Sequence, residues 1–140
     1  MQSTEQKMKG EVIAQITGKT DSWSIKDVSP NGFKLENNDV GQLTGKYSAN
    51  FMETVTVNMK QDGTSDWEGK GLQMAGTDMV VTTSKGKGHS SGPGTIAFEG
   101  DMNFMTKSPK LSWLNNTKGW IEGQANQQSQ TFTATIYAKK

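Results

Sequence analysis

Apolar and polar residues alternate most clearly between Gly45 and Lys60. The odd positions read Tyr47, Ala49, Phe51, Glu53, Val55, Val57 and Met59, whereas the even positions are mostly Lys, Ser, Asn and Thr. A period of two over this length is typical of a β-strand with one face in a core, and a helix would not alternate in this way. Asp62-Gly63 follows, and this dipeptide favours a type I′ hairpin turn. The segment is therefore predicted to form one arm of a β-hairpin.

Shorter runs of the same kind follow one another along the rest of the chain. Extended segments are predicted at 11–17, 23–28, 33–35, 64–74, 78–85, 95–106, 117–126 and 131–139. Turns are predicted at Ser29-Pro30-Asn31-Gly32, at 36–39 and at Ala75-Gly76, with a flexible loop from Gly86 to Gly94. Residues 108–116 are the one helical candidate, in which Pro109 starts a turn and Leu111, Trp113 and Leu114 close an end of the structure.

This order of elements predicts an all-β protein. Short strands without long intervening helices favour an antiparallel barrel or sandwich over βαβ units. Gly69 and Gly71 lie inside a predicted strand, where glycines often mark the coiling of a sheet that closes into a barrel. We therefore expect a polar tail at residues 1–9 and a single closed antiparallel barrel at 10–140, with at most one short helical turn.

Composition agrees with a thin-walled β structure and excludes several functions. Hydrophobic residues make up 31% of the chain, and 16 Gly accompany only 3 Pro. Every second residue of a strand can face water, so a sheet tolerates so low an apolar content. The formal charge of +1 comes from interspersed Lys, Asp and Glu, which argues against nucleic-acid binding. The absence of Cys removes disulfides and thiolate chemistry. No membrane span or secretory signal is recognised, so the expected location is cytoplasmic.

The spacing of glycines, turns and aromatic residues over 41–138 resembles a known family. The segments of this chain that carry the resemblance are Gly45–Phe51, Asp62-Gly63, Trp67-Glu68-Gly69, Gly76-Thr77-Asp78, Gly100, Trp113-Leu114-Asn115, Gly119, Glu122-Gly123 and a Thr-rich strand ending at Tyr137. This pattern is similar to the calycin-like barrels related to allene oxide cyclase, and most similar to the uncharacterised DUF3224 type. The resemblance implies a closed barrel of about eight strands around an apolar cavity. For the plant cyclases it implies isomerisation of a fatty-acid epoxide, and homo-oligomers, but none of their catalytic residues can be matched to this chain.

Glu53 is the candidate catalytic residue. It occupies the face of its strand that also carries Tyr47, Phe51 and Val55. A carboxylate on an inward face is desolvated, which raises its pKa toward the range that a general acid or base needs. Two alternatives stay open, namely a bulge that turns Glu53 outward and a position at the barrel mouth paired with a Lys.

The remaining candidates are residues that would line a ligand cavity. They are Tyr47, Phe51, Val55, Trp67, Gln73, Phe98, Met102, Phe104 and Trp120. Gln73, together with Asn103 and Tyr137, could donate or accept hydrogen bonds, because small-molecule pockets combine apolar walls with a few polar groups. The alternative is a filled core whose polar residues satisfy one another or a trapped water.

No metal site or cofactor is predicted. His89 is the single histidine, and no acid or nucleophile accompanies it at a recognisable spacing. The glycines around it resemble a phosphate loop only superficially, since no helix begins after them.

Three hypotheses follow from the sequence. The first is a barrel that binds a small apolar or amphipathic ligand, with Glu53 and Gln73 as its polar contacts. The second is a cofactor-free isomerase or cyclase that uses Glu53 as acid–base in the same cavity. The third is a non-catalytic structural module that forms a homo-oligomer through outward residues such as Met52 and Met74.

Overall fold

The chain folds into eight antiparallel β-strands and one short helix. A computed structural model describes residues 9–140, so the predicted tail lies outside the described residues except for Lys9. The elements are β1 (Lys9–Ser29), β2 (Gly32–Gly45), β3 (Ala49–Lys60), β4 (Thr64–Ala75), β5 (Asp78–Gly92), β6 (Thr95–Thr106), the 3₁₀ helix η1 (Pro109–Asn116), β7 (Lys118–Asn126) and β8 (Thr131–Lys139).

The strands form a closed ring in chain order. Each strand pairs with the next, and β8 pairs back with β1 through contacts such as Ile16 opposite Ala134. The predicted all-β class and the closed antiparallel barrel are thereby confirmed. Closure removes the sheet edges that an open structure would expose to other chains.

The up-and-down path gives the barrel two unlike ends. Four tight hairpins meet at one end, which we call the mouth: its connections are residues 30–31, 61–63, 93–94 and 127–130. Backbone hydrogen bonds tie neighbouring hairpins there, for example from Gln61 to Asn31 and from Gln127 to Gly94. The opposite, closed end carries η1 and the bend at residues 46–48.

Side chains fill the closed end densely. Ile13, Leu43, Leu114 and Ile136 are each at most 1% exposed. The Tyr47 and Trp113 rings meet edge to face with centroids 6.1 Å apart, and Leu111 is also buried. The helical segment predicted at 108–116 is confirmed, and two of its three predicted apolar residues, Leu111 and Leu114, are buried in this core.

The strands are longer than their sequence patterns indicated. Residues 11–17 and 23–28 belong to one strand, β1, which is bent by register shifts between Thr20 and Ser22 and between Ile25 and Asp27. These irregularities interrupt the alternation and hide its continuity. The turn predicted at 36–39 is wrong, because β2 runs through it and pairs with both neighbours.

The flexible loop predicted from Gly86 to Gly94 is also wrong. β5 continues to Gly92, and Gly86 pairs with Gly100 of β6. A Cβ atom at Gly86 would lie 1.9 Å from the carbonyl oxygen of Glu99, so the two strands approach too closely for any side chain. The glycines in this segment therefore permit strand packing where they had suggested mobility.

The hairpin at Asp62-Gly63 is confirmed, but its turn type is not. Its connection has three residues, and of these only Gly63 has a positive φ, +88°. A type I′ turn requires a positive φ at both central residues. The hydrogen bond from the Gly63 amide to the Lys60 carbonyl instead fits a three-residue loop that ends in a left-handed glycine.

Candidate functional site

A cavity of about 300 Å³ occupies the barrel interior on the mouth side. Its apolar wall comes from every strand except β5, and includes Ile16, Leu35, Phe51, Val55, Val57, Met59, Trp67, Ile96, Phe98, Met102, Ile121 and Phe132. The Trp67 and Phe98 rings meet edge to face at 6.1 Å, and the Trp67 indole donates a hydrogen bond to the Lys87 carbonyl. The cavity is at the small end of the range of known ligand pockets, roughly 300–1,000 Å³.

Two carboxyl groups lie side by side on this wall. Asp39 of β2 is directly opposite Glu53 of β3 in the strand register, and both line the cavity. We call them the carboxyl pair. Thr20 Oγ1 of β1 donates a hydrogen bond to Asp39 Oδ1 at 2.8 Å. Glu53 has a glycine, Gly71, as its neighbour on β4, and a Cβ there would lie 3.0 Å from the Glu53 Cβ. The missing side chain thus leaves room for the glutamate on the inner face.

Burial and mutual repulsion keep a proton on this pair. Desolvation, followed by the charge of Asp39, raises the pKa of Glu53 to about 8. Desolvation also raises the pKa of Asp39, and hydrogen bonds from Thr20 and Glu53 partly oppose that rise. Two carboxyls in contact cannot both ionise easily, so one proton is shared between them near neutral pH. A hydrogen bond between the two side chains raises the pKa of Glu53 and lowers that of Asp39, so Glu53 is the donor of the pair.

A second polar contact lies next to the pair, toward the closed end. The Tyr47 hydroxyl donates a 2.5 Å hydrogen bond to Gln73 Oε1, and Gln73 is only 2% exposed. Burial raises the pKa of the Tyr47 hydroxyl, so the phenol stays protonated as this donor. The carboxyl pair and this hydrogen bond therefore lie around the barrel's middle, above the packed closed end, and further uncharged polar residues line the cavity at the 127–130 connection of the mouth.

The cavity wall carries no positive charge among residues 9–140. Asp39 and Glu53 are the only titratable side chains that line it. Lysines instead form ion pairs on the outer surface, such as Lys46 with Glu11 at 2.6 Å and Lys60 with Asp66 at 3.2 Å. The negative charge of the carboxyl pair thus has polar neighbours but no protein cation inside the barrel.

The apolar surface continues beyond the barrel along the β1–β2 hairpin. Trp23, Ile25, Val28 and Phe33 are 53%, 56%, 69% and 40% exposed. Trp23 lines the cavity, Ile25 is paired opposite the lining residue Leu35, and Phe33 opposite Met59, so these side chains share the inner face. Beyond Lys19, β1 has no β8 partner, and this part of the hairpin projects past the ring.

Seven of the residues predicted to form the site come together in the cavity. They are Phe51, Glu53, Val55, Trp67, Gln73, Phe98 and Met102. Glu53 faces inward, so neither a bulge that turns it outward nor a lysine partner describes its position. Whether these residues bind or transform a ligand stays a prediction.

Three predicted lining residues lie elsewhere. Tyr47 and Phe104 are inward-facing but belong to the packed core beneath the cavity. Trp120 is on the outer face, where it is paired opposite Asp101 and the Lys139 ammonium lies 5.9 Å from its ring centroid. The placement of Trp120 in the cavity was wrong because its neighbours Gly119 and Ile121 take the inner positions of β7, one of them without a side chain.

Two other suggested polar contacts also point outward. Asn103 is exposed between the buried residues Met102 and Phe104. Tyr137 is paired opposite Trp120 on the outer face, with the Lys9 ammonium 5.3 Å from its ring centroid. Neither can contact a ligand in the cavity.

Sequence reasoning missed Asp39 and Thr20, the partners of Glu53. Asp39 was assigned to a turn because it ends a polar run from Glu36. The alternation of Phe33, Leu35, Asn37 and Asp39 was the available signal, since it places Asp39 on the inner face if the strand continues. Thr20 precedes a bulge, and no pattern in the sequence marks that position.

His89 is exposed on β5, where it pairs opposite Thr64 and Ala97. Within residues 9–140, no three His, Cys, Asp or Glu side chains lie close enough together to hold a metal ion. The one helix in that range, η1, is too short to cross a membrane.

Solved structures share this fold at low sequence identity. A protein of unknown function from Clostridium acetobutylicum ATCC 824 superposes with a TM-score of 0.81 at 14% identity, over 93% of this chain and 95% of that one. A β-barrel-like protein from Acinetobacter baumannii AYE gives 0.75 at 19% identity, over 93% and 94% of the two chains. A conserved protein of unknown function from Rhodopseudomonas palustris gives 0.74 at 14%, over 93% and 96%.

These likenesses establish the barrel-like fold alone. No protein-family model matches the sequence, and no curated protein matches it either. The resemblance to allene oxide cyclases and to DUF3224 proteins therefore stays a prediction, although the barrel that it implied is present.

Proposed function

We propose that this barrel binds a small amphipathic molecule in its interior cavity. The observation that carries the proposal is a cavity of about 300 Å³ with many apolar side chains in its wall and one pair of carboxyl groups, Asp39 and Glu53, among its uncharged polar side chains. A core selected only for stability would fill such a space, because empty volume lined by apolar side chains lowers stability. Walls that are mostly apolar, with a few convergent polar groups and perturbed pKa values, are typical of binding sites.

The distribution of polarity orients the ligand. Val57, Met59 and Ile96 lie toward the mouth, whereas the carboxyl pair lies near the barrel's middle. A polar head would enter first and reach the pair, and an apolar body would lie along the wall behind it. The exposed side chains of the β1–β2 hairpin, Trp23 and Ile25, would contact the part nearest solvent.

A tryptophan placed in the wall tests whether the cavity binds. The probe is N-phenyl-1-naphthylamine, whose fluorescence rises in apolar surroundings, supported by mass spectrometry of small molecules that co-purify with the protein. Val57→Trp fills the cavity, while Thr56→Trp adds the same ring on the outer face of the same strand. We expect Val57→Trp to lower probe affinity at least about tenfold, equivalent to about 1.4 kcal/mol, and Thr56→Trp to leave it unchanged. Equal binding by both variants, or no probe binding by the unmodified protein, would overturn the proposal.

A cofactor-free isomerase or cyclase is the second candidate. The raised pKa of Glu53 within an apolar cavity favours it, since a carboxyl that is protonated near pH 7 can act as a general acid. A ligand identified by mass spectrometry of co-purifying molecules can be used to decide between binding alone and isomerisation. A ligand that NMR shows unchanged after incubation with the protein supports binding alone, whereas conversion to an isomer that Glu53→Gln abolishes supports catalysis.

Self-association of a structural module is the remaining alternative, and an outer apolar face favours it. Met52, Leu72, Val81 and Met105 occupy one register row across β3–β6, and Met74 and Met79 flank them. The four residues of this row are all apolar, as a self-complementary contact between two copies requires at its centre. Sedimentation would show a dimer that Met52→Glu dissociates; a monomer at high concentration would exclude it.

A further inference from the structure

We propose that the ligand of this cavity is a hydrophobic amine whose ammonium group binds the carboxyl pair. The inference rests on the proposed binding function and adds the charge of the ligand's polar end. It follows from three features of the interior: an acidic pair on the wall, no cationic side chain among the cavity-lining residues of the described range 9–140, and apolar side chains of β3 and β6 between the pair and the mouth.

The carboxyl pair has no compensating cation among the cavity-lining residues within 9–140. The inner-face neighbours of the carboxyl pair are uncharged: Thr20 on β1, Asn37 and Gly41 on β2, Phe51 and Val55 on β3, Gly71 and Gln73 on β4, and Thr82 on β5. A buried carboxylate without a cation is costly, and an opposite charge within about 4–6 Å is the strongest compensation available. A cationic ligand supplies that compensation, whereas a carboxylate or phosphate ligand would add repulsion.

The carboxyl pair also offers hydrogen-bond acceptors that suit an ammonium group. An ammonium group has three donors and no acceptor. Asp39 accepts from Thr20 and shares the proton of Glu53, which leaves further lone pairs on the two carboxyls free to accept. The carboxyl pair can therefore accept several hydrogen bonds from an ammonium group. A neutral hydroxyl has one donor and would leave other acceptors of the pair unused.

The volume of the cavity and the ionisation of the carboxyl pair set two further properties of the ligand, its size and the pH dependence of its binding. The cavity volume of about 300 Å³ has room for an alkyl or aromatic body, which would contact the apolar side chains of Val57, Met59, Ile96 and Phe98. Because a cation favours the ionised form of both carboxyls, amine affinity should increase as the pH rises from 6 to 9. The Tyr47 hydroxyl, which donates to the lining residue Gln73, stays protonated over this range because burial raises the pKa of Tyr47.

Three probes of equal length test the inference. Octylamine, octanol and octanoate differ only in their polar ends, and tryptophan fluorescence or calorimetry measures their affinities for the full-length protein. We expect octylamine to bind at least about tenfold more tightly than octanol, and octanoate to bind most weakly. Octylamine affinity should rise from pH 6 to pH 9, and octanol affinity should not.

Variants of the carboxyl pair separate charge from fold. Glu53→Gln and the double variant Asp39→Asn/Glu53→Gln keep the side-chain shapes, and the double variant should lose the preference for amine over alcohol while it still binds octanol. Glu68→Gln removes a carboxylate from the exposed outer face of β4 and should retain the full preference.

The outcomes distinguish the two proposals. Octanol binding equal to or tighter than octylamine binding overturns the amine inference and leaves a binding cavity. A double variant that still prefers octylamine also overturns it. If octylamine, octanol and N-phenyl-1-naphthylamine all fail to bind, the proposed function itself is wrong.

Discussion

The closed-end half and the mouth half of the barrel share one alternating pattern of inward and outward residues. The inward residues pack into a core in the closed-end half, whereas they surround a cavity in the mouth half. At the closed end, Ile13, Leu43, Leu114 and Ile136 are almost completely buried against one another. Toward the mouth, the inward residues surround a cavity, and the hairpin residues Trp23, Ile25 and Val28 are more than half exposed. Strand periodicity directs both sets inward, but only at the closed end does the helix η1 supply side chains that complete the packing.

This difference assigns stability to one half and binding to the other. A buried aliphatic side chain contributes about 1.5–3 kcal/mol by leaving water, and an exposed one contributes little. Apolar side chains that stay exposed at the mouth are therefore poorly explained by folding alone. Large exposed apolar patches commonly mark interaction sites. The mouth half is the region where the sequence departs from what stability requires.

Side-chain truncations in the two halves should differ in how far they lower the free energy of unfolding, and this is the largest difference that we expect between the halves. Leu114→Ala removes a fully buried side chain from the closed end and should lower the free energy of unfolding by about 2–5 kcal/mol. Val57→Ala removes a half-buried side chain that faces the cavity and should cost less than about 1.5 kcal/mol, because no new cavity forms. Urea denaturation followed by circular dichroism measures both. Similar losses would show that the mouth half is packed as tightly as the closed end.

The sequence predicts the closed half better than the mouth half. The period-two alternation at the closed-end parts of β3 and β6, the turn near Gly76 and the helix at 109–116 all follow from local rules, and all are present. Their side chains meet partners that any closed barrel would provide. Local pattern and global fold agree there, as expected for a region that serves folding.

The sequence predicts the site only in part, because its assembly depends on irregular strands and on register. Glu53 is visible as a carboxylate on an apolar face, but its partner Asp39 becomes visible only once β2 is known to run unbroken opposite β3. Thr20 is brought to Asp39 just before the β1 bulge. Trp120 shows the converse error, since a large aromatic residue was assigned inward where the flanking glycine, Gly119, takes the inner position.

The carboxyl pair should make the mouth half sensitive to pH in a way that the closed half is not. The pKa of Glu53 is raised from its ordinary value of 4.5 to about 8, so between these values the folded chain binds more protons than the unfolded chain. Stability therefore falls as the pH rises from 5 through 8 and levels off above that. Asp39, whose pKa is also raised, contributes with the same sign.

Glu53→Gln should remove most of this slope. At pH 9 we expect the variant to be more stable than the unmodified protein by about 1–3 kcal/mol, with a smaller difference at pH 5, because a neutral amide replaces a desolvated charge. The surface carboxyls Asp62 and Asp66 have lowered pKa values and are already ionised at pH 5, so they do not mask the effect. Urea denaturation at pH 5, 7 and 9 measures the slope, with the exposed Glu68→Gln as the matched control. A stability that stays flat or rises between pH 5 and pH 8, or a Glu53→Gln variant that follows the unmodified protein, would show that the two carboxyls are solvated and that the cavity does not hold a desolvated charge.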